Sequence, residues 1–327
     1  MPLPLKPGDI LRGRYRIQKI IGQGGSGSIY LADDIRLAGR QCALKEVEQN
    51  PNFPKELIDE SRQQFLREAT VLARLDHPNL PKVSDFFSNG PRDYLVMDYI
   101  PGDDLRTIML QAKQKNEFLS EVNVLSWISQ LCDALSYLHD QQTPILHRDI
   151  KPSNLKLMPS GLLKLVDFGL VKIAAPGEVT ITIVQGQGTA LYTPLEQYGG
   201  DYGHTDVRSD IFSMGATMYQ LLTNTAPVDA RQRFLQPDAL PLPRAINPEI
   251  SPKTEKCILW AINLHPDDRP DSVNSFRQTL FGERAIPIRP INKPVTIQEI
   301  FRMNPEQSLI ITAIFLLIVS FLFTIGQ

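Results

Sequence analysis

Two β-prone segments stand close together near the N-terminus. Tyr15 to Ile21 has the composition of a strand, and Ser28 to Leu31 is again β-prone before Asp33-Asp34 closes it. A short glycine-rich stretch separates the two segments. This pattern predicts a β-hairpin with glycines at its tip.

A helix is predicted further along the chain by apolar residues at helical spacing. It runs from about Leu57 to Leu75, and Glu68 lies at the edge of its apolar stripe. The positions that keep the spacing are Phe65, Leu66, Ala69, Leu72 and Ala73. Lys45 follows a short apolar strand in CALKEV, and Glu68 is placed to point at it. Taken alone, the two charges are equally typical of a solvated surface.

The C-terminal end carries an uncharged apolar run from Leu309 to Ile325. As a helix this run would span about 25 Å against a hydrocarbon core of about 30 Å, a mismatch that bilayers tolerate. We therefore predict a single transmembrane anchor over 308–326, with a buried core helix as the alternative. Residues 283–307 are rich in proline and predict an extended linker. Because only Gly326 and Gln327 follow the run, no sensor domain is expected beyond the membrane.

Composition and charge narrow the class of protein. The chain has 327 residues, 42% of them hydrophobic, and 34 Lys+Arg against 36 Asp+Glu. The length suggests about two lobes. A net charge of −2 gives no electrostatic reason to expect a nucleic-acid partner. The three cysteines are far apart and lack metal-ligand spacing, and no secretory apolar region opens the chain, so we expect its body in the cytosol.

The glycines at the hairpin tip have a pattern that can bind phosphates. Gly22, Gly24 and Gly27 form GxGxxG. In a dinucleotide-binding unit a helix follows the third glycine, whereas here a strand follows. Glycines without side chains let a backbone approach phosphate groups closely. The alternative is an ordinary glycine-rich turn.

Two segments in the middle of the chain carry the most specific chemistry. The first is HRDIKPSN, from His147 to Asn154, and the second is Asp167-Phe168-Gly169, preceded by the β-prone LLKLV. With the glycine loop, Lys45 and Glu68, they stand in the order typical of the protein kinase family. The sequence resembles that family from Asp9 to Phe281. Within that family, the sequence is similar in character to the eukaryotic-type serine/threonine kinases of bacteria.

The resemblance implies an α+β, bilobal protein-kinase-like fold. A small β-rich N-lobe with one helix is expected over about 9–97. A larger, mainly helical C-lobe is expected over about 102–282, so that the kinase domain covers 9–282. The linker and the transmembrane helix would follow it.

The resemblance also implies roles in phosphoryl transfer from ATP with Mg²⁺. Asp149 would accept or orient the proton of the attacking hydroxyl, and Lys151 would neutralise the γ-phosphoryl charge. Lys45, oriented by Glu68, would contact the α- and β-phosphates. The expected metal ligands are Asn154 and Asp167. The residues expected to bind the nucleotide are Gly22, Gly24, Gly27, Ile29, Ala43, Lys45, Met97, Asp98 and Ile100.

The same resemblance bears on the substrate. Lys151 in HRDxKPxN is similar to the serine/threonine-specific kinases, which implies Ser/Thr hydroxyls of proteins as acceptors. Thr189, after Gly188, is expected to bridge Asp149 and Lys151, although alone it is equally typical of a turn. Glu196 is expected to pair with Arg269.

The chain departs from the family at one point. It reads Pro194-Leu195-Glu196, where the family usually has Ala-Pro-Glu or Ser-Pro-Glu. The proline therefore stands one place earlier and fixes φ at a different residue. We expect this change to alter the position of the substrate-docking loop without abolishing activity. Asp210, in the long helix downstream, is expected to anchor the catalytic-loop backbone.

Regulation is expected at the activation loop. Arg148 precedes Asp149, and in similar kinases such an arginine binds a phosphate on this loop. Thr180 and Thr182 are the candidate autophosphorylation sites; the alternative is that VTITIV is merely a β-prone patch.

Two other functions suit a kinase-like fold. A pseudokinase scaffold is the first, although Lys45, Asp149, Asn154 and Asp167 are all present. A small-molecule kinase is the second, but Lys151 and the segment from Gly188 to Glu196 favour a protein substrate. The expected partners are therefore ATP, protein substrates, the membrane through the C-terminal helix, and a second copy of the chain as a candidate homodimer.

Overall fold

The chain begins with an antiparallel sheet in the computed structural model, which describes residues 4–24, 27–48, 54–167, 172–173, 190–198, 205–282 and 284–286. Its strands are β1 (Ile10–Leu11), β2 (Tyr15–Gly24), β3 (Gly27–Asp34), β4 (Gln41–Glu48), β5 (Val83–Asn89) and β6 (Arg92–Asp98). They are ordered β1-β2-β3-β4-β6-β5. The predicted hairpin is formed by β2 and β3, which pair as far as Gly24 and Gly27.

The predicted helix is α1 (Lys55–Leu72), which contacts β5 and β6. It ends three residues before the predicted end at Leu75. The reason is a change in hydrogen bonding, because Arg74 N donates to Val71 O and Leu75 N to Leu72 O, both at 3.1 Å. These are tighter, 3₁₀-type bonds that close a helix end.

Alternation along β4 divides the N-lobe side chains between two apolar clusters. Cys42 and Leu44 point to the outer face, and Ala43 points to the inner face. The outer cluster consists of Leu11, Tyr15, Ile17, Tyr30, Ala32, Cys42, Leu44, Phe87, Tyr94 and Val96. The inner face is continuous with the main core of the C-lobe, which places Lys45, two residues after Ala43, at the junction of the lobes.

The C-lobe is mainly helical. Its helices are α2 (Leu105–Gln114), α3 (Glu121–His139), α4 (Val207–Thr223), α5 (Ala230–Leu235), α6 (Pro243–Ile246), α7 (Pro252–Ala261) and α8 (Val273–Phe281). Two small sheets accompany them, formed by β7 (Asp103–Asp104), β9 (Leu155–Leu157) and β10 (Leu163–Leu165), and by β8 (Ile145–Leu146) with β11 (Lys172–Ile173).

Helix α4 is the centre of the C-lobe. It is buried around most of its circumference, as expected of a helix with neighbours on all sides. It contacts α3 and α7, and Gly215 permits the second contact because a Cβ there would lie 2.6 Å from Ala261 Cβ. Asp206 begins α4 by accepting a hydrogen bond from Arg208 N at 2.8 Å.

The contacts within the chain divide it into a unit that ends at Ile286 and a second unit from Pro287 to Gln327. The first contains both lobes, so the bilobal α+β architecture expected from the sequence is confirmed. Among the described residues, no helix has the length and apolarity needed to cross a membrane. The anchor predicted over 308–326 and the linker from residue 287 onward lie outside those residues.

Candidate active site

A cavity of about 650 Å³ lies between the six-stranded sheet and the small sheet that contains β9. The N-lobe sheet contributes one wall, the segment after β6 another, and the loop around β9 a third. Most residues that the sequence singled out line this cavity: Gly22, Gly27, Ile29, Ala43, Lys45, Met97, Asp98, Ile100, Lys151, Asn154 and Asp167. Residues from segments far apart in the chain thus meet in one site.

Gly27 is required by a close approach of two strands. Its φ is +139°, and a Cβ at this position would overlap the Glu46 carbonyl oxygen. Only a residue without a side chain suits both conditions. The third glycine of the motif therefore holds β3 directly against β4, beside Lys45.

Lys45 is buried and contacts the carboxylate of Asp167, which differs from the expected pairing with Glu68. In this structure Glu68 accepts a hydrogen bond from Gln64 Nε2, on its own helix, at 3.0 Å. Asp167 has φ +67°, a left-handed conformation uncommon outside glycine. Burial alone would raise the pKa of Asp167, but the charge and hydrogen bond of Lys45 hold it below its ordinary value.

Three polar side chains converge in the segment from Asp149 to Asn154. Lys151 Nζ lies 2.9 Å from the Asp149 carboxylate. Asn154 Nδ2 donates to the backbone oxygen of Asp149 and to its Oδ2, both at 2.8 Å. Val166 N donates to Asn154 O at 2.8 Å, which ties this segment to the residue before Asp167. The carboxylate is therefore fixed in direction before any substrate binds.

Asp210 anchors the backbone of this segment, as expected. Its two carboxylate oxygens accept from His147 N at 2.9 Å and from Arg148 N at 2.8 Å, and His139 Nε2 lies 2.9 Å away. The aspartate is fully buried. Burial alone would raise the pKa of Asp210, but its hydrogen bond with His139 and the neighbouring positive groups hold it below its ordinary value.

Arg148 is buried in a strained conformation beside Asp149. Its φ is +63°. Within the described part of the chain, its Nε and Nη1 atoms are buried without a hydrogen-bond partner. Burial lowers the pKa of Arg148, while the charges of Asp210 and Glu68 oppose that shift. Such donors can bind an anion that comes close enough.

Glu196 and Arg269 form the expected ion pair. Arg269 Nη1 and Nη2 lie 2.6 and 3.0 Å from the two carboxylate oxygens of Glu196, in a bidentate arrangement. Ser209 Oγ donates to the same carboxylate at 2.7 Å. Pro194 has φ −73° and precedes the 3₁₀ turn Leu195–Gln197 that carries Glu196. The displaced proline therefore leaves this contact intact.

Sequence reasoning missed several residues that line the cavity: Pro81, Tyr99, Asp104, Lys156 and Val166. Asp104 caps α2 by accepting from Thr107 N at 2.9 Å, a signal visible in the sequence, but its place at the cavity follows from the pairing of β7 with β9. Lys156, opposite Asp104 in that pairing, had no motif to mark it. The predicted positions Phe168, Gly169, Thr180, Thr182, Gly188 and Thr189 lie outside the described residues.

Comparison with known proteins agrees with this geometry. Residues 15–281 match the family described as "Protein kinase domain". The chain belongs to the protein kinase family. Its relatives include serine/threonine-protein kinase C of Synechocystis, which is 33% identical and aligns over 86% of this chain and 51% of its own length. A probable serine/threonine-protein kinase of Streptomyces coelicolor is 32% identical over 82% of this chain and 39% of its own.

The family membership is therefore of the bacterial serine/threonine type. The chain spans only 39% and 51% of the length of those two kinases. Among solved structures, the kinase domain of Mycobacterium tuberculosis PknI has a TM-score of 0.62 at 26% identity, with 85% of this chain and 98% of that chain covered. The apo form of PpkA-294 has a TM-score of 0.66 at 24% identity and similar coverage, 85% and 99%, and shows the fold alone.

Proposed function

We propose that this protein is a serine/threonine protein kinase, which transfers the γ-phosphoryl group of ATP to Ser/Thr hydroxyls of proteins. The observation that carries the proposal is the group Asp149, Lys151 and Asn154, whose backbone Asp210 holds and of which Lys151 and Asn154 line the same cavity as Lys45 and Asp167. Phosphoryl transfer needs positioning and charge neutralisation more than covalent chemistry, and these residues offer both.

The donor set suits a magnesium nucleotide. A carboxylate at Asp167 and an amide oxygen at Asn154 are the hard oxygen ligands that Mg²⁺ prefers. Because Asn154 Nδ2 donates to Asp149, the Oδ1 atom is the ligand that this side chain offers. Bound Mg²⁺ would neutralise charge on the phosphates. The cavity volume of about 650 Å³ is in the range of small-molecule sites.

Each residue of the site would have its own role in phosphoryl transfer. Asp149 accepts the proton of the attacking hydroxyl at its carboxylate, which Asn154 and Lys151 hold in place. Lys151 Nζ, beside that carboxylate, offsets negative charge on the phosphoryl group as it moves. The backbone at Gly22 and Gly27 would cover the phosphates, and the segment from Asp98 to Ile100 would bind the adenine base.

Lys45 would have to change partners during this cycle. Its contact with Asp167 occupies a carboxylate that the metal needs and an ammonium that the phosphates need. We infer that nucleotide binding separates the two residues and that Glu68 then orients Lys45. Glu68 lies in the C-terminal half of α1, whose movement toward the cavity would bring it to Lys45.

The experiment that tests the function uses labelled ATP, Mg²⁺ and a generic basic protein as acceptor. Phosphoserine and phosphothreonine in the acid hydrolysate support a serine/threonine kinase. Phosphotyrosine alone contradicts the proposed specificity, and label on a small alcohol or amine with none on protein favours a small-molecule kinase. Nucleotide binding without any transfer favours a pseudokinase scaffold.

Two further proposals concern regulation and location. We infer that a phosphate on Thr180 or Thr182 pairs with Arg148, because the buried donors of Arg148 are suited to an anion. We also infer that the apolar run from Leu309 to Ile325 anchors the protein in a membrane with the kinase domain on the cytosolic side. Association of two copies through this helix is the proposed route to homodimers.

A further inference from the structure

A network of charged side chains crosses one end of the N-lobe sheet. At its centre is Asp34, the last residue of β3, whose side chain is 1% exposed. Arg14 binds it in a bidentate manner, with Nε donating to Oδ1 at 2.9 Å and Nη2 to Oδ2 at 2.7 Å. Arg36 N donates to Oδ1 at 3.2 Å. The hydrogen bonds from Arg14 hold the pKa of Asp34 below its ordinary value, so the Asp34 carboxylate is charged at neutral pH.

The network reaches the segment between the lobes through Arg40. Arg40 Nη1 lies 4.0 Å from Asp34 Oδ2, and Nη2 lies 3.6 Å from Asp98 Oδ1. The backbone of Arg40 is fixed as well, because Arg40 N donates to Leu37 O and Asp34 N donates to Arg40 O, both at 2.9 Å. The backbone of Arg40 is therefore fixed, and its guanidinium group reaches Asp98.

Asp98 is held on its other side by Lys82, the residue before β5. Lys82 N donates to Asp98 Oδ2 at 3.4 Å, and Asp98 N donates to Lys82 O at 3.0 Å. The side chain of Asp98 is thus placed between Arg40 and the backbone of Lys82. Asp98 is the last residue of β6, so contacts that fix Asp98 also fix the point from which the following segment leaves the sheet.

The segment after Asp98 is the wall of the cavity against which the base is proposed to lie. Asp98, Tyr99 and Ile100 all line the cavity. The far end of the segment is fixed by Gly102, which has φ +106° and at which a Cβ would overlap the Leu157 carbonyl oxygen. Close backbone packing at Gly102 therefore fixes one end of the segment, and the ion pair between Arg40 and Asp98 fixes the other.

We propose that Arg40 is a positioning residue for the nucleotide: tied to Asp34, it holds Asp98 and thereby sets the backbone that binds the base. The inference rests on the proposed function. Arg40 is not among the residues that line the cavity, so its loss should weaken ATP binding through Asp98 and leave the chemical step unchanged. The Arg40 and Asp98 side chains are 32% and 44% exposed, which limits the effect to about two- to fivefold.

A purely structural role for Arg40 predicts a different result. If the network only stabilises the N-lobe, its loss lowers the melting temperature but changes neither the KM for ATP nor the affinity for a non-hydrolysable ATP analogue. The discriminating quantity is therefore the KM for ATP measured against kcat, with a direct binding constant beside it.

The experiment compares Arg40→Gln with Arg36→Gln in the full chain. Arg36 lies in the same turn and carries the same charge, and it contacts Asp34 through its backbone N–H, which the substitution keeps. We expect Arg40→Gln to raise the KM and Kd for ATP about two- to fivefold with kcat unchanged, and Arg36→Gln to resemble the wild type. Arg40→Lys, which keeps the charge, should restore most of the affinity.

A double-mutant cycle with Asp98→Asn tests whether Arg40 acts through Asp98. We expect the double variant to be no weaker than the more affected single variant, because both substitutions break one contact. Additive losses, or an Arg40→Gln protein indistinguishable from Arg36→Gln, overturn the inference and leave the proposed function standing. A wild-type protein that neither binds ATP nor transfers phosphate overturns both.

Discussion

The ammonium of Lys151 and the carboxylate of Asp149 are 2.9 Å apart, although neither belongs to a long helix or strand. What holds them is the surrounding polypeptide: Asp210 binds the backbone before Asp149, and Asn154 binds Asp149 itself. In the proposed mechanism Asp149 is the general base, and a general base that is already oriented need not be ordered during the reaction, which lowers the entropic part of the barrier.

The ion pair between Arg269 and Glu196 should contribute strongly to stability. The Arg269 side chain is fully buried and that of Glu196 is 10% exposed. Arg269→Gln leaves the Glu196 carboxylate without its main partner, so we expect the free energy of unfolding to fall by about 3–5 kcal/mol. Urea denaturation followed by circular dichroism measures this loss.

The matched control for that measurement is Arg277→Gln. Its ion pair with Asp133 has side chains 40% and 43% exposed. Exposed pairs of this kind contribute at most about 1 kcal/mol. Equal losses from the two arginines would show that the pair with Glu196 has no special structural weight.

Stability should fall as the pH decreases below about 6.5. Burial lowers the pKa of His147, while an unfolded chain has a histidine pKa of about 6.5. Between those two values the unfolded state binds more protons than the folded state, so the free energy of unfolding decreases as the pH decreases. The slope that one such histidine contributes is at most about 1.4 kcal/mol per pH unit.

Urea denaturation from pH 7.5 to 5.0 checks this expectation. Asp210 does not interfere, because its lowered pKa confines its contribution to lower pH, where stability is lost as the aspartate becomes protonated. His265→Gln, at a half-exposed site, should keep the wild-type profile. His147→Gln should make the profile less steep without levelling it, because burial lowers the pKa of His77 as well. A wild-type profile that is level or rises toward pH 5 would be inconsistent with a buried neutral His147.

Features that depend on residues close together in the sequence could be predicted, and features that depend on contacts between distant residues could not. The β2–β3 hairpin and α1 follow from local pattern, and the group around Asp149 follows from a contiguous motif. The partner of Lys45 does not, because the sequence offers both Glu68 and Asp167 as candidate carboxylates and the choice between them depends on the position of α1. No local pattern contains that information.

The Asp34 network shows the same limit. Arg14 and Asp98 are far in the chain from Asp34 and Arg40, which flank one connection between strands, and each of the four is individually typical of a solvated charge. Only the order of the strands brings them together at one end of the sheet. Lys156 and Asp104 likewise reach the cavity through strand pairing.

The activation loop provides a test of regulation. We expect Thr180 or Thr182 to carry phosphate after incubation with Mg²⁺ and ATP, and the Thr180→Ala, Thr182→Ala double variant to lose activity about tenfold, as one to three charge-assisted hydrogen bonds would predict. Adding Arg148→Gln should restore part of it. Mass spectrometry tests whether Thr180 or Thr182 is phosphorylated. Unmodified threonines in an active preparation, or phosphate on Thr189 alone, argue against this switch.

The C-terminal run provides a test of location. Full-length protein should sediment with membranes, and a chain that ends after Asn304 should remain in the supernatant, because the deletion removes the whole apolar run. Salt and carbonate washes separate an inserted helix from a peripheral contact. Identical partitioning of the two proteins would remove the support for an anchor.

The most direct test of the account is the rate of phosphoryl transfer by Asp149→Asn beside the wild type, at saturating ATP and Mg²⁺. Asparagine keeps the size of the side chain but cannot accept a proton, so we expect kcat to fall about 100-fold or more while the melting temperature stays close to that of the wild type. Asp167→Asn, which removes the proposed metal ligand, should abolish Mg²⁺-dependent turnover. Wild-type rates from both variants would contradict the assignment of this site as a kinase active site.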